Sequence, residues 1–259
     1  MGNSYGQSWY KIHEYAGKTF AWCGSDTEQR FDGNMADPKN RKRLENNGWA
    51  RDSISYTFNK DGFRSEEFNY EPDNSVLFLG CSLTIGIGMR LEDTWTYKVA
   101  NTLGLRRYNI GVGASSADTC FRLSHHWIPR LRPKYVMMMT PGNMRMEMVL
   151  DKHLVNLTPN TPNNARHTNA HHVEMLQGFY DVWLSHPANS ELNRLKNVMG
   201  VQTICNSIGI PLVEMPAEEA LKVIDWKLRA TGRDLMHPGR EWNDRVAQVF
   251  LEKLSVFEK

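Results

Sequence analysis

No apolar stretch in these 259 residues approaches the length of a membrane span, and the first residues carry no apolar core of the kind a secretory signal needs. The expectation is a chain without a membrane partner, residing in the cytoplasm. The opening Met1-Gly2-Asn3-Ser4-Tyr5-Gly6 has Gly where a myristoylation signal requires Ser or Thr, which excludes that anchor. An excess of charge is also missing: 31 Lys and Arg face 29 Asp and Glu, and Lys39–Arg43 is the one concentrated basic run. That balance argues against a dedicated nucleic-acid binder. Cysteine is scarce. Cys23, Cys81, Cys120 and Cys205 stand too far apart for a metal-type pair. They read as reduced thiols in a reducing setting, with two disulfides as the alternative.

What is present fits a globular protein with one large α/β domain and appendages, or two small domains. Residues 1–70 are rich in aromatic, Gly, Asn and charged residues and poor in continuous apolar runs. They read as a loop-rich amino-terminal extension packed on the main domain, with Ile54–Phe58 alternating like a strand before the turn Asn59-Lys-Asp-Gly62. From residue 71 onward strands and helices alternate. Val76–Leu79 and Tyr135–Met139 are wholly apolar, the pattern of strands buried on both faces of a parallel sheet. Arg107–Ile110 and Ile210–Met215 supply two further strands. Leu221, Ile224 and Leu228 leave 217–229 open between a helix and a short fifth strand.

Helices are expected from Thr94 to Leu103, stopped by Gly104, and from about Ala117 to Leu131 with Ala117, Phe121 and Ile128 on one stripe. A last helix after Pro238 carries Trp242, Val246, Val249, Phe250 and Leu254 on one face. Residues 151–170, polar and rich in Pro and Asn, suggest a long loop, part of a cap around 151–190. Strands joined by helical crossovers give an α/β fold with a mainly parallel sheet of about five strands covered on both faces.

The run Ser75-Val-Leu-Phe-Leu-Gly-Cys-Ser82 delivers a hydroxyl directly after a buried strand, at the sheet edge where open α/β folds place their ligands. By itself such a serine is more often a structural turn than a nucleophile. Ser82 needs a base, and the base needs an orienting carboxylate. Asp234 and His237, three apart in the connection before the last helix, can supply both. Donors for the charge that develops on an attacked carbonyl are available from the Ser82 N–H, the Gly113 or Ala114 N–H and the Asn143 amide.

These residues, in this order, resemble the SGNH/GDSL hydrolase superfamily over roughly residues 75–250. The matching blocks are Gly80-Cys81-Ser82-Leu83, Asn109-Ile-Gly-Val-Gly-Ala114, Gly142-Asn143 and Asp234-Leu-Met-His237. The departures are Cys81 where the family has Asp, Ala114 where it has the oxyanion Gly, and Met144 where an acidic residue often follows the Asn. The resemblance implies a three-layer α/β/α, flavodoxin-like sandwich and a serine esterase that uses no metal or other cofactor. Ser82 would be the nucleophile, with Asp234-His237 behind it. Its substrate would be a small acyl ester or an acylated carbohydrate. An O-acyltransferase, or an inactive carbohydrate-binding or structural module of the same fold, is the alternative.

Several other signals read as structural. Cys81 is expected to be a buried thiol, the triple Met of 137–139 core packing, and His125-His126 a capping or core pair. His153, His167, His171 and His172 lack a carboxylate partner in a metal signature. Arg145 and Glu147 either line the pocket mouth or form a surface ion pair.

Overall fold

The computed structural model describes residues 9–150, 153–159, 170–227 and 230–257. Its first ordered pairing joins β1 (Thr19–Phe20) antiparallel to β2 (Tyr56–Thr57). Next come the strands β3 (Ser75–Leu79), β4 (Arg106–Asn109) and β5 (Tyr135–Thr140). After them lie β6 (Met146–Leu150), β7 (His153–Leu157) and β8 (Leu212–Pro216). Four of these form the central sheet, in the order β4-β3-β5-β8, with every pair parallel. Among the described residues the sheet therefore has four strands, one fewer than the sequence suggests. The described part of that segment, residues 217–227, forms a short helix, Ala217–Ala220, followed by turns, and lays Leu221, Val223 and Ile224 against the core; Leu228 lies outside the described residues.

Side-chain alternation divides the sheet between two helical layers. Leu77, Leu79, Val136, Met138 and Leu212 face the Ala117–Leu131 and Pro187–Ser207 helices through Leu123, Trp127, Ile128 and Cys205. Val76, Phe78, Met137, Met139 and Val213 face the Trp95–Leu103 and Arg240–Leu254 helices through Trp95, Val99, Trp242 and Phe250. Successive strand residues point opposite ways, so the triple Met contributes to both cores. Each of these side chains is almost wholly out of water, worth about 2–5 kcal/mol when a Leu or Met is cut back to Ala. The result is an α/β/α sandwich. Of the stripe expected on the 117–131 helix, Ala117 and Ile128 are buried and Phe121 is exposed; Cys120, Leu123 and Trp127 complete the buried face.

Residues 9–70 build a third core. Thr27 and Asp37 cap the Glu28–Ala36 and Pro38–Asn46 helices through their side chains. Phe31, Leu44, Trp49, Ile54, Tyr56 and Phe58 then pack on Ile85, Ile87 and Met89. The buried Arg64 guanidinium stacks 4.4 Å from the Tyr56 ring and donates to the carbonyls of Ile85, Gly86, Ser55 and Met89. One side chain thus satisfies three carbonyls in the segment that follows β3 and a fourth, that of Ser55, just before β2.

Part of the polar stretch expected as loop is a strand: β6 and β7 form an antiparallel hairpin. The hairpin packs through Leu157, Met146 and Met148 on the helical segment containing Leu176 and Leu184. Residues 160–169 lie outside the described residues.

Candidate active site

In a parallel sheet every strand leaves at the same edge. The loops after β3, β4 and β5 therefore converge, and the order β4-β3-β5 sets the β3 loop between the other two. Immediately after β3 the chain turns sharply at Gly80, whose φ is 150°. A Cβ there would stand 2.2 Å from Thr84 Oγ1 and 2.8 Å from the Met139 carbonyl, so only glycine fits. Cys81 caps and Ser82 opens the short helix Ser82–Ile85. The Cys81 side chain is buried, as the sequence suggests.

The Asp234–His237 loop reaches the same place. Gly232 N–H donates to the His237 carbonyl and Leu235 N–H to the Gly232 carbonyl, closing a compact turn with Leu235 in the left-handed region. Asp234 Oδ1 accepts the N–H groups of Met236 and His237, an aspartate folding its own downstream backbone. Asp234 Oδ2 lies 2.6 Å from His237 Nδ1, and His237 Nε2 lies 2.8 Å from Ser82 Oγ. A spacing of three residues thus becomes a carboxylate–imidazole contact. The Asp234 side chain is wholly buried, whereas that of His237 keeps 17% of its surface.

Burial alone would raise the Asp234 carboxyl. Hydrogen bonds from His237, Ser25 and the Met236 N–H outweigh it and hold the group below the usual carboxylate range. An ionised carboxylate only accepts, so Nδ1 carries the proton and Nε2 offers its lone pair to the Ser82 hydroxyl.

The other candidates surround this pair. Ser82, Gly113, Ala114, Asn143 and His237 all line one cavity of about 1350 Å³. In the β4 loop the Gly111 and Val112 N–H groups are occupied by Asn109 Oδ1 and the Gly80 carbonyl. Those of Gly113 and Ala114 meet no acceptor among the described residues. Ala114 adopts φ 57°, a left-handed conformation that glycine takes without strain. Asn109 fastens this loop to the Ser82 turn by donating Nδ2–H to the Thr84 carbonyl at 2.7 Å.

Asn143 donates its backbone N–H to Glu218 Oε1 and one amide proton to Glu191 Oε2, leaving its second amide proton free of those bonds. Arg194 holds the Glu191 carboxyl below its ordinary value, keeping it an acceptor.

Arg145 and Glu147 both line the cavity, and Glu147 is gripped by Arg122 through two hydrogen bonds. His126 stacks on Tyr10 with ring centroids 4.0 Å apart, outside the site. His167 lies outside the described residues, and among these no cluster of three metal-type ligands occurs.

Two features escaped the sequence. Ser25 Oγ donates to Asp234 Oδ2 at 2.6 Å, and Asp26 forms a buried ion pair with Arg233 at 2.7 Å. Their partners lie more than 200 residues away, and no local pattern marks either one.

No family model matches the sequence, and no curated protein matches it. Among solved structures, the chain is similar to a psychrotrophic esterase, EstA, from Pseudoalteromonas sp. (11% identity, TM-score 0.37, covering 71% of this chain and 98% of that one). It is also similar to an acetyl xylan esterase, Est2A, from the rumen bacterium Butyrivibrio proteoclasticus (14% identity, TM-score 0.35, covering 71% and 64%). A family 3 carbohydrate esterase of Clostridium thermocellum gives 12% identity and a TM-score of 0.34, covering 72% and 98%. Its own α/β/α fold brings the four sequence blocks, from Gly80–Leu83 to Asp234–His237, together at one cavity.

Proposed function

We propose that the chain is a serine hydrolase that cleaves a small O-acyl ester through an acyl-enzyme on Ser82. The observation that carries this reading is the continuous contact Ser82 Oγ–His237 Nε2–His237 Nδ1–Asp234 Oδ2, at 2.8 and 2.6 Å, on the wall of an open cavity. Ser82 Oγ attacks the ester carbonyl while His237 Nε2 takes its proton. Asp234 keeps the imidazole in the required tautomer and balances the charge it acquires. The oxyanion is received by the N–H groups of Ser82 and of Gly113 or Ala114, with the second Asn143 amide proton beside them. Loss of one such donor costs roughly 10²–10³-fold in rate. The tetrahedral species collapses, the alcohol leaves with the proton held on His237, and a water deprotonated by the same imidazole releases the acid.

The cavity walls carry Lys11, Glu14, Arg30, Arg145, Glu147 and Glu218. Charged walls suit a polar alcohol portion better than an alkyl chain, which favours an O-acylated carbohydrate over a lipid. The same volume has room for an acceptor alcohol beside the acyl group. Transfer to such an acceptor is therefore the second reading, read out as acylated acceptor against free acid.

The test is labelling with a serine-directed fluorophosphonate alongside hydrolysis of short-chain acyl esters. Wild type is expected to label and turn over, and both signals are expected to vanish in Ser82→Ala and His237→Ala. Labelling at another residue, or none, overturns the assignment.

A further inference from the structure

The amino-terminal segment touches the candidate triad at its least exposed member. Ser25 Oγ donates to Asp234 Oδ2 at 2.6 Å, the same oxygen that receives His237 Nδ1–H, and lies 3.4 Å from Nδ1 itself. Ser25 sits in a tight turn closed by mutual N–H···O bonds between Cys23 and Asp26. Its neighbour Asp26 takes the Arg233 guanidinium, with Nε 3.0 Å from Oδ1 and Nη2 2.7 Å from Oδ2, and accepts the Tyr56 hydroxyl at 2.6 Å. The remaining Arg233 donors go to the carbonyls of Arg51 and Ala21, and the guanidinium stacks 3.9 Å from the Trp22 ring. Two adjacent residues of the amino-terminal segment are thus fastened to two adjacent residues of the loop that bears the acid.

We propose that Ser25 is a positioning residue of the reaction centre, its hydroxyl fixing the Asp234 carboxylate and tempering the charge that His237 feels. The inference rests on reading Ser82, His237 and Asp234 as the reacting set. A carboxylate that accepts a further hydroxyl proton spreads its charge, so it stabilises an imidazolium less strongly. Removing the hydroxyl therefore strengthens the carboxylate's attraction for an imidazolium and loosens the carboxylate at once. The surrounding charges are arranged so that little else masks this effect. Arg233 and Asp26 neutralise each other on the amino-terminal side, and Arg240 is paired with Asp93 on the side of the following helix. Glu218, Arg145 and the Arg122-bound Glu147 stand on the walls of the cavity, and burial pushes the nearby Cys23 thiol up to about 11, keeping it neutral.

The experiment compares wild type, Ser25→Ala and Ser25→Thr by the pH profile of ester hydrolysis and by NMR titration of the His237 ring, with circular dichroism to normalise for folded protein. In Ser25→Ala, kcat is expected to fall about tenfold with KM little changed. The acid limb and the His237 titration are expected to move up by about half a pH unit or more. Ser25→Thr keeps the hydroxyl and is expected to restore the wild-type limb. An unmoved limb and titration in Ser25→Ala, with activity reduced only in proportion to folded protein, overturns the proposal. If the wild type shows no Ser82-dependent turnover, the hydrolase reading fails instead, and the His237 titration still decides whether Ser25 sets the imidazole's charge.

Discussion

A carboxylate withdrawn from water stays ionised only where hydrogen bonds replace the water it loses. Asp234 receives four: from Ser25, from His237 Nδ1 and from two backbone N–H groups. Its folded pKa lies below the usual unfolded value of about 3.9. The stability it contributes is therefore complete above that value and is lost as the pH falls through the lower folded pKa. The expected outcome, measured by urea unfolding, is a stability gap between wild type and Asp234→Asn that is fully present at about pH 5 and closes below about pH 4. A gap that stayed level or widened below about pH 4 would mean that the carboxyl is protonated in the native protein. At this scale Asp234 and His237 were legible because their contact is made within one turn. Ser25 was not, because nothing in Cys23-Gly-Ser-Asp26 announces a partner 209 residues away.

Elements place these residues, and the element with least latitude is the turn from β3 into the Ser82–Ile85 helix. Gly80 has no room for a Cβ on either side, being confined by Thr84 and by the backbone of β5. Gly80→Ala is therefore expected to push β3 and β5 apart at their carboxyl edge. It should cost about 2 kcal/mol or more and move Ser82 out of reach of His237. Equilibrium unfolding and fluorophosphonate labelling check the two parts separately; wild-type stability with wild-type labelling would refute the packing argument. The strands and helices of the sandwich were legible because apolar runs and 3.6-residue stripes report burial directly. The β6–β7 hairpin was not, because its contacts are with a small outlying cluster and its strands carry polar residues such as Glu147 and Asn156. The Phe121 misplacement has a similar cause. Its ring covers Gly200 of the neighbouring helix, where a Cβ would come within 2.7 Å, so an aromatic on the helix flank serves helix contact without entering the core.

Across the whole molecule, the amino-terminal segment and the sandwich share one buried charge pair. Arg233 and Asp26 are 0% and 1% exposed, and their bond joins the segment carrying Ser25 to the loop carrying Asp234 and His237. Removing one partner leaves the other charge without water or counter-ion, a loss of about 3–5 kcal/mol. For a domain whose total stability is roughly 5–15 kcal/mol, that is a large fraction. Asp26→Ala is therefore expected to lower the urea midpoint sharply. The double variant Asp26→Ala/Arg233→Met removes the stranded cation and should recover part of the loss. Recovery would remain incomplete, because the carbonyls of Ala21 and Arg51 lose their donors. The two positions are therefore expected to be non-additive, with the double variant more stable than the sum of the single losses. Strict additivity would mean that the pair is not coupled.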